Sequence, residues 1–519
     1  MTRRAAPAIL GGLIGIGLVL RLVKFGDSLY ADELSTLYIV RGRSLGEVLD
    51  LVGSDAEVSP PLSFLASWAF TNIGSAPELI RLPSLIAGIA TIPLTYLVGV
   101  RAVGRPTGLI AAAIVALSPF MVYFSTEGRG YALAIAFLLA STYALLRAVD
   151  SPRRAWWIAY ALFSALAMYS HYTALFPLIA QLAWVLWTFP SARVAALVAG
   201  VGSMVLYAPW IPGVLDDRAS PTIKLVEAFV ASGFDGRLDA LGAWGFGGPF
   251  DPPSEFPGTW VVAVGAFGVA LAVTGALFEW LRGKWSLEQA TRRGFVLLIL
   301  LALSSPVLEF LQGALGGTEI FGSRNLGTAS AGMALAIGAL VSAAGTLWGG
   351  VALVAVLIAF ISASAKNLDV SRAKPHFDEA ASWIDERAQP GDLVVYVHDV
   401  RFTPVPLTPL NVYIEGDYET YRPLLPAGPP PFLPFTSDPP PAGQLISDVF
   451  ASARGRRVFV VGAGDRMITE GSSLDAIEIG PAGAESSEVF NLPGSARTVD
   501  RIELPGLQEL DGFKLEVSR

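Results

Sequence analysis

Acidic and basic residues in this sequence gather in short stretches beside long apolar segments. The first such stretch, DSLYADELSTLY, contains the adjacent carboxylates Asp32 and Glu33. A carboxylate can act as a general base that takes a proton from a hydroxyl group, with its neighbour orienting a partner. The same pair can equally belong to a solvated loop, in which Asp32 caps the helix that follows. Both interpretations are open at this point.

A second stretch, SPFMVYFSTEGRGYAL, contains Glu127, Arg129 and Tyr131. The guanidinium group of arginine binds phosphate through two parallel hydrogen bonds, so Arg129 could meet an anionic head group. The alternative is structural: an ion pair between Glu127 and Arg129 would anchor a turn, and Tyr131 would sit in the aromatic belt of a membrane.

Three further residues lie in similar surroundings at the ends of apolar segments. They are Arg81 in ELIRLPS, His171 in YSHY and Arg324 in GSRN. Each could anchor a helix end at an interface, as such residues often do. Together with the acidic pair they could instead form a site for an anionic lipid head group and a second, hydroxylated substrate, with the two arginines as phosphate ligands.

The composition excludes several classes of protein. Of 519 residues, 53% are hydrophobic and only 15% are charged, with a mean hydropathy of +0.54. Soluble domains carry about 25% charged residues, so this chain is predicted to be a polytopic membrane protein. The absence of cysteine excludes thiolate metal sites, and three histidines are too few for an obvious zinc cluster. A net charge of −8 argues against nucleic acid as a partner.

Eleven apolar segments approach the roughly 20 residues that a helix needs to cross a bilayer core. They predict an α-helical polytopic fold. Arg3 and Arg4 precede the first segment, as basic residues do in a signal peptide, but this segment is predicted to be an uncleaved first span. A shorter apolar segment, residues 60–73, is predicted to be an interfacial helix. The predicted spans are residues 7–24, 79–100, 106–124, 131–148, 156–170, 173–189, 193–212, 259–281, 294–312, 326–344 and 347–364.

The distribution of lysine and arginine predicts the orientation. Short basic links such as RAVGR and RAVDSPRR favour the cytoplasmic side, and this places the N-terminus in the cytoplasm. The loops 25–78, 213–258 and 313–325 then lie outside, and all the candidate residues fall on the outer face of the cytoplasmic membrane. If residues 60–73 crossed the membrane, every later loop would change sides.

Two parts are predicted along the chain. Residues 1–364 form the transmembrane part, whose first outer loop is 25–78. Residues 365–519 have no long apolar run and are predicted to be a small α/β domain outside the cytoplasm. In it ASWIDERA is typical of a helix, GDLVVYVHD and GRRVFVVGAGD are typical of buried strands, and residues 402–443 form a proline-rich loop.

Taken in order, these motifs resemble those of GT-C membrane glycosyltransferases, in particular the group similar to protein O-mannosyltransferases and to the lipid A aminoarabinose transferase. The resemblance covers about residues 8–345, and it departs from the family pattern at Ser59 (for His), Gly128 (for Ala) and Asn325 (for Tyr). The matching segments are Asp32-Glu33, Ser59-Pro60-Pro61-Leu62, Arg81-Leu82-Pro83-Ser84, Ser118-Pro119-Phe120, Thr126 to Tyr131, Ser170-His171-Tyr172 and Arg324-Asn325.

The resemblance implies a polyprenyl-phosphate-linked sugar as donor, inversion at the sugar carbon, and Asp32 as the base. The acceptor would be a protein, a lipid or a glycan. The leaving lipid phosphate needs positive charge, which Arg129, Arg324 and His171 could supply. A divalent metal, Mg²⁺ or Mn²⁺, could replace part of this basic cluster, and no other cofactor is predicted.

Three alternatives stay open from the sequence alone. A transporter or flippase for a lipid-linked sugar predicts polar residues at mid-membrane and broken helices. A receptor for a lipid or glycan predicts that substitution of Asp32 leaves function intact. A polysaccharide ligase would also use lipid-linked donors, although such enzymes usually lack the early Asp-Glu loop.

Overall fold

The structure is a computed structural model that describes residues 5–151, 153–220, 222–223, 230–231, 233–283, 289–397, 407–421, 447, 449–479, 488–506 and 508–518. Helices dominate up to residue 367, and two β-sheets follow. The longer α-helices are Ala5–Phe25 (α1), Asp32–Val40 (α2), Leu45–Val52 (α3), Leu62–Thr71 (α4), Leu82–Ala102 (α5), Arg105–Leu117 (α6), Pro119–Ser125 (α7), Tyr131–Asp150 (α8), Arg154–Ser170 (α9), Leu175–Thr188 (α10), Arg193–Tyr207 (α11), Ile211–Ala219 (α12), Gly233–Phe246 (α13), Thr259–Leu281 (α14), Gln289–Ala314 (α15), Ser330–Ala343 (α16), Gly345–Asn367 (α17), Phe377–Asp385 (α18) and Pro409–Tyr413 (α19).

The helical part is that of a multi-pass membrane protein. Within the described residues, eight helical segments are long and apolar enough to cross a bilayer, and a ninth is added if the bent pair α6–α7 is one span. Every one of the eleven predicted segments coincides with a helix. Two of these helices, α9 and α10, are too short to be counted as spans, because they have 17 and 14 residues. Helix length alone therefore supports eight or nine of the eleven spans.

The predicted interfacial segment 60–73 is the helix α4, which has 10 residues. At 1.5 Å per residue such a helix covers about 15 Å, about half of a bilayer core. It packs against the 3-10 helix Pro77–Arg81, which leads directly into α5. The length agrees with a helix that lies along the membrane surface.

The helix pair α6–α7 bends by 64° at Ser118. Pro119 has no amide hydrogen and begins the new helix, while the Ser118 hydroxyl accepts the amide of Met121 at 3.3 Å. A buried cation fills the break: Arg21 of α1 donates to the carbonyl oxygens of Val115 and Ala116 at 3.3 and 3.4 Å. The bend directs α7 toward the loop that carries Glu127 and Arg129.

The C-terminal region contains a five-stranded sheet with the order β2-β1-β3-β8-β7 and a three-stranded antiparallel sheet, β4-β5-β6. In the larger sheet β1 is parallel to β2 and β3, while β8 is antiparallel to β3 and β7. The strands are Leu393–Val397 (β1), Glu419–Tyr421 (β2), Arg457–Ala463 (β3), Met467–Glu470 (β4), Ser473–Ile479 (β5), Glu488–Asn491 (β6), Ala496–Leu504 (β7) and Leu510–Val517 (β8).

The sequence predicts the two central strands of the larger sheet. The strands β1 and β3 are buried on both faces, so their apolar runs are continuous. The predicted helix ASWIDERA forms the end of α18, which packs on one face of the sheet through Trp383 against Phe459. Of the predicted proline-rich loop 402–443, only residues 407–421 are among those described, and they form α19 and β2.

A buried group of charges links the helical part to the C-terminal region, and we call it the Glu33 cluster. Glu33 has no exposed surface and accepts two hydrogen bonds from Arg81, both at 2.6 Å. It also accepts one from Lys374 at 2.6 Å and one from the amide of Gly128 at 2.9 Å. Four segments that are distant in the chain therefore meet on one carboxylate.

Arg81 uses every donor that it has. Besides Glu33, its guanidinium group donates to the carbonyl oxygens of Phe25, Asp27 and Ser28 at 2.7, 2.5 and 3.1 Å. The carbonyl of Phe25 belongs to the last turn of α1, where helix carbonyl oxygens lack partners within the helix, and the other two follow that turn. Arg81 therefore fixes the path of the chain between α1 and α2.

The C-terminal region holds the same segment from the other side. The hydroxyl of Ser28 donates to Asp378 at 2.5 Å, and the amide of Leu29 donates to the Tyr413 hydroxyl at 2.7 Å. The Tyr30 hydroxyl lies 3.0 Å from Gln508 Oε1. Residues 27–33 are thus positioned by Arg81, at the end of the 3-10 helix before α5, and by the C-terminal region together.

Loss of Arg81 should destabilise the protein far more than loss of an exposed arginine. In Arg81→Met the buried Glu33 keeps only Lys374 as a charged partner, and breaking a buried ion pair costs about 3–5 kcal/mol. Arg101→Met is the matched control, since its pair with Asp150 leaves the side chains 37% and 47% exposed and such pairs contribute about 0–1 kcal/mol. Thermal unfolding in detergent micelles measures the difference. Equal midpoints for the two variants would contradict the role given to the Glu33 cluster.

Candidate functional site

Asp32 is the residue at which the helix α2 begins. It is the first helical residue and not the N-cap, because the N-cap position is Ala31. Ala31 has φ of 51°, in the left-handed region that residues with a Cβ atom rarely adopt. The Glu33 cluster and the contacts of residues 27–30 hold this turn in place. The strained turn brings the Asp32 carboxylate toward Arg324 while Glu33 points into the interior.

Asp32 forms an ion pair with Arg324. The two side chains remain 34% and 27% exposed, so the carboxylate is accessible from outside the bundle. Burial would raise the pKa of Asp32, but the positive charges of Arg324 and Arg129 outweigh this effect and keep the pKa below its usual value. Asp32 is therefore ionised at neutral pH and able to accept a proton.

Arg324 lies just before the 3-10 helix Asn325–Ala329, which leads into α16. Tyr131 lies near Arg324 as well, and the guanidinium carbon is 5.1 Å from the centre of the Phe250 ring. Burial lowers the pKa of Arg324, but nearby Tyr131, Asp32 and Glu127 raise it well above its usual value. Arg324 is a permanent cation at the edge of the site.

Glu127 is buried and has a carboxyl oxygen, Oε2, without a hydrogen-bond partner in the described structure. Burial raises its pKa to about 7, against the opposing charge of Lys374 and with the help of Asp32 and Glu33. Because its pKa is about 7, this buried carboxyl group gains or loses its charge near neutral pH. The proposed structural pair between Glu127 and Arg129 is wrong.

The partner of Arg129 is Glu57. The two side chains form a two-pronged ion pair with both distances at 3.0 Å, and Arg129 also donates to Ser59 at 2.7 Å. Ser59 is the position where the resemblance has a histidine. The guanidinium group lies over the ring of Phe64, 5.3 Å from its centre. Arg129 thus ties the loop before α8 to the end of the first loop.

His171 and Tyr131 form one wall of the site. Their rings are 4.5 Å apart, and Tyr131 also packs against Phe124 at 4.0 Å. This approach requires Gly130, because a Cβ atom there would lie 2.1 Å from the carbonyl oxygen of Ser170. Burial, with the charges of Arg129 and Arg324, lowers the pKa of His171 to about 3. His171 is therefore a neutral ring and not a source of positive charge.

Glu33 and Arg81, which the sequence predicts as site residues, are not accessible to a substrate. Glu33 has no exposure, and its pKa falls to about 2, because Arg81 and Lys374 outweigh the opposite effect of burial. Arg81 has no donor left for a phosphate. We therefore assign Glu33 and Arg81 to the positioning of Asp32, whereas the sequence had suggested a catalytic carboxylate and a phosphate ligand.

Sequence reasoning missed Lys374 and Glu57. Lys374 is 8% exposed and lies seven residues past the last helix of the bundle, where it resembles any solvated lysine. Glu57 precedes the Ser59-Pro60-Pro61-Leu62 motif and is 5% exposed. An acidic residue next to a proline-fixed turn is the signal that could have identified Glu57 as the partner of a buried arginine.

The residues of the site do not fit a divalent metal. Within the described ranges, no group of three or more His, Asp or Glu side chains is placed to hold a metal ion. Asp32, Glu33 and Glu57 are each neutralised by arginine or lysine. Each of these carboxylates therefore already has a cationic partner in place of a metal ion.

One known family matches part of the chain. Residues 58–212 match the family model for dolichyl-phosphate-mannose-protein mannosyltransferases. The matched range contains Arg81, Glu127, Arg129 and His171, whereas Asp32 and Arg324 lie outside it. No curated protein sequence matches the chain.

The chain is also similar to solved structures. The oligosaccharyltransferase of Archaeoglobus fulgidus tethered to an acceptor peptide has a TM-score of 0.52 at 12% identity, over 95% of this chain and 74% of that one. ArnT of Cupriavidus metallidurans bound to undecaprenyl phosphate has a TM-score of 0.42 at 13% identity, over 90% and 94% of the two chains. The mycobacterial arabinofuranosyltransferase AftD has a TM-score of 0.42 at 14% identity, over 100% and 42%.

The resemblance to GT-C glycosyltransferases is confirmed by these findings. The fold rests on the similarity to the archaeal oligosaccharyltransferase, and the family signal rests on the matched range. The chain therefore has the GT-C fold of membrane glycosyltransferases, and its residues 58–212 carry the sequence pattern of the dolichyl-phosphate-mannose-protein mannosyltransferase family.

Proposed function

We propose that this protein transfers a sugar from a polyprenyl-phosphate donor to an acceptor hydroxyl group, with inversion at the sugar carbon and Asp32 as general base. The observation that carries the proposal is the accessible, ionised Asp32 beside the cationic Arg324. The description of the matched family names a donor of this chemical class.

The proposed step needs one proton acceptor. The acceptor oxygen attacks the sugar carbon, its proton passes to the Asp32 carboxylate, and the bond from the sugar carbon to the phosphate oxygen breaks. A carboxylate with a depressed pKa is a weak base, so its proton-accepting power must come from correct placement beside the hydroxyl group. The rigid support by the Glu33 cluster provides this placement.

The leaving group needs positive charge and no acid. As the bond to the sugar breaks, the lipid phosphate gains one negative charge, which fixed cations stabilise strongly in a site shielded from water. Arg324 is the best placed, because only its pair with Asp32 has substantial exposure among the ion pairs of the site. Arg129 and Lys374 add to the positive potential from their buried pairs.

The protonation state of Glu127 modulates this potential. When Glu127 is neutral, the positive charge around Arg324 and Lys374 is available to the phosphate. When Glu127 ionises, its negative charge reduces the attraction for the phosphate. In the proposed reaction Glu127 is thus most useful as a neutral carboxyl group.

The charge distribution of the loops and the multi-pass fold support a proposal for the location. We propose that the site faces the outer side of the cytoplasmic membrane, with a cytoplasmic N-terminus. Residues 1–364 would form the catalytic transmembrane domain and residues 365–519 a domain outside the cytoplasm. The lipid tail of the donor would then remain in the bilayer while its phosphate reaches Arg324, and the acceptor would enter from the aqueous side.

Substitution of Asp32 by asparagine should abolish most of the sugar transfer. Asparagine keeps the size of the side chain but cannot take up the proton, and loss of a general base costs about 10²–10⁴-fold in rate. The measurement is the transfer of radiolabelled sugar from polyprenyl phosphate to acceptors in membranes that contain the protein. Binding of the labelled donor is measured in the same membranes.

Asp50→Asn is the matched control, since Asp50 is exposed on α3 of the same loop and should leave transfer unchanged. Equal transfer by wild type and Asp32→Asn would show that Asp32 is not the base. Donor binding without transfer by wild type would instead support a transporter or a receptor for lipid-linked sugars.

Transfer should decline as the pH rises through about 7, the pKa of Glu127. Below this pH the carboxyl group is protonated and neutral, and above it the negative charge opposes the charge that develops on the phosphate. The variant Glu127→Gln, which remains neutral, should keep its rate from pH 6 to pH 8. Initial rates of sugar transfer across this range measure both profiles, and an identical decline in wild type and variant would assign it to another group.

A further inference from the structure

A line of hydroxyl groups runs from the interior of the helical bundle to the ring of His171. The hydroxyl oxygens of Ser305 and Thr328 are 3.2 Å apart, and another 3.2 Å separates Thr328 from Thr173 Oγ1. Thr173 Oγ1 in turn lies 2.8 Å from His171 Nδ1. All three hydroxyl residues are buried.

The backbone amide of Thr173 determines the direction of this chain. It donates to His171 Nδ1 at 3.3 Å, and an amide hydrogen can only donate, so Nδ1 must accept and carries no proton. The hydroxyl hydrogen of Thr173 is then also directed to Nδ1. The Thr328 hydroxyl donates to Thr173, either to Oγ1 or to the carbonyl oxygen, both 3.2 Å away. Ser305 completes the chain by donating to Thr328.

The other ring nitrogen of His171 is consequently the one that carries hydrogen. A neutral imidazole has one N–H group, and with Nδ1 occupied as an acceptor it must be at Nε2. Among the described residues no hydrogen-bond acceptor contacts Nε2. The ring of Tyr131 packs against the imidazole at an angle of 38°, and the positive charges of Arg129 and Arg324 act on it.

We propose that Thr173, supported by Thr328 and Ser305, is a positioning residue that keeps His171 neutral with its hydrogen on Nε2, so that this N–H donates to a phosphate oxygen of the lipid-linked sugar. The inference rests on the proposed transfer reaction for the identity of the ligand. A neutral donor adds a hydrogen bond to the phosphate without placing a third full charge beside two arginines.

The tautomer can be observed directly. The protein is labelled with ¹⁵N-histidine in a His376→Gln, His398→Gln background, which leaves His171 as the single histidine, and is reconstituted in phospholipid nanodiscs. Nitrogen NMR at neutral pH should show one protonated and one unprotonated ring nitrogen, with the proton on Nε2. A proton on Nδ1, or on both nitrogens, would overturn the proposal.

Two variants of Thr173 connect the tautomer to turnover. Valine has the shape of threonine without the hydroxyl, so Thr173→Val loses the 2.8 Å contact and leaves the backbone amide at 3.3 Å as the only donor to Nδ1 among the described residues. The population with a proton on Nδ1 should therefore rise, and turnover should fall about 2- to 10-fold, the value of one hydrogen bond. Thr173→Ser keeps the hydroxyl and should restore both the spectrum and the rate. An unchanged spectrum and rate in Thr173→Val would also overturn the proposal.

The two readouts separate this inference from the proposed function. The spectrum requires no substrate, so it tests the hydroxyl chain even in a protein that transfers nothing. An Nε2 proton in the spectrum together with no transfer from polyprenyl-phosphate sugars would refute the proposed function and with it the phosphate ligand of His171. Transfer with a proton on Nδ1 would refute the roles given to Thr173 and to His171 Nε2 and would leave the proposed transfer reaction standing.

Discussion

The architecture of the site depends on a carboxylate that no substrate can reach. Glu33 is fully buried, and an ionised carboxylate in such a place is stable only when cations and hydrogen-bond donors surround it. Arg81, Lys374 and the amide of Gly128 meet this requirement, and each comes from a different part of the chain. Because Asp32 is the preceding residue, the demands of Glu33 determine where the accessible carboxylate stands.

The charges around the site are arranged as pairs of unequal strength. The pairs of Glu33 and Glu57 are buried and doubly bonded, whereas the pair of Asp32 with Arg324 is partly open to solvent. An arriving phosphate would therefore compete most easily for Arg324. In the proposed reaction this competition would release the Asp32 carboxylate from its cation when a donor is bound, and its affinity for a proton would rise as a result.

The sequence predicts the helical bundle and the gathering of the polar residues, because long apolar segments and loop charges depend on local composition. It does not separate the roles of Asp32 and Glu33, since their partners lie 292 and 48 residues away in the chain. Lys374 could not be identified for the same reason. In the C-terminal region, β1 and β3 have recognisable apolar runs, but the half-exposed strand β7 is rich in charged residues and has none.

The distance between Glu33 and Lys374 also has a consequence for how the protein is made. The two residues are 341 positions apart, and the helices α3 to α17 lie between them in the chain. During synthesis the first loop therefore leaves the ribosome long before its last cation exists, and the chain that bears Asp32 cannot reach its final form until the bundle has been inserted. A truncated chain that ends within α17 would contain both Asp32 and Arg324 but would lack Lys374, so that Arg81 would be the one cation left to Glu33 in the part of the chain that the structure describes.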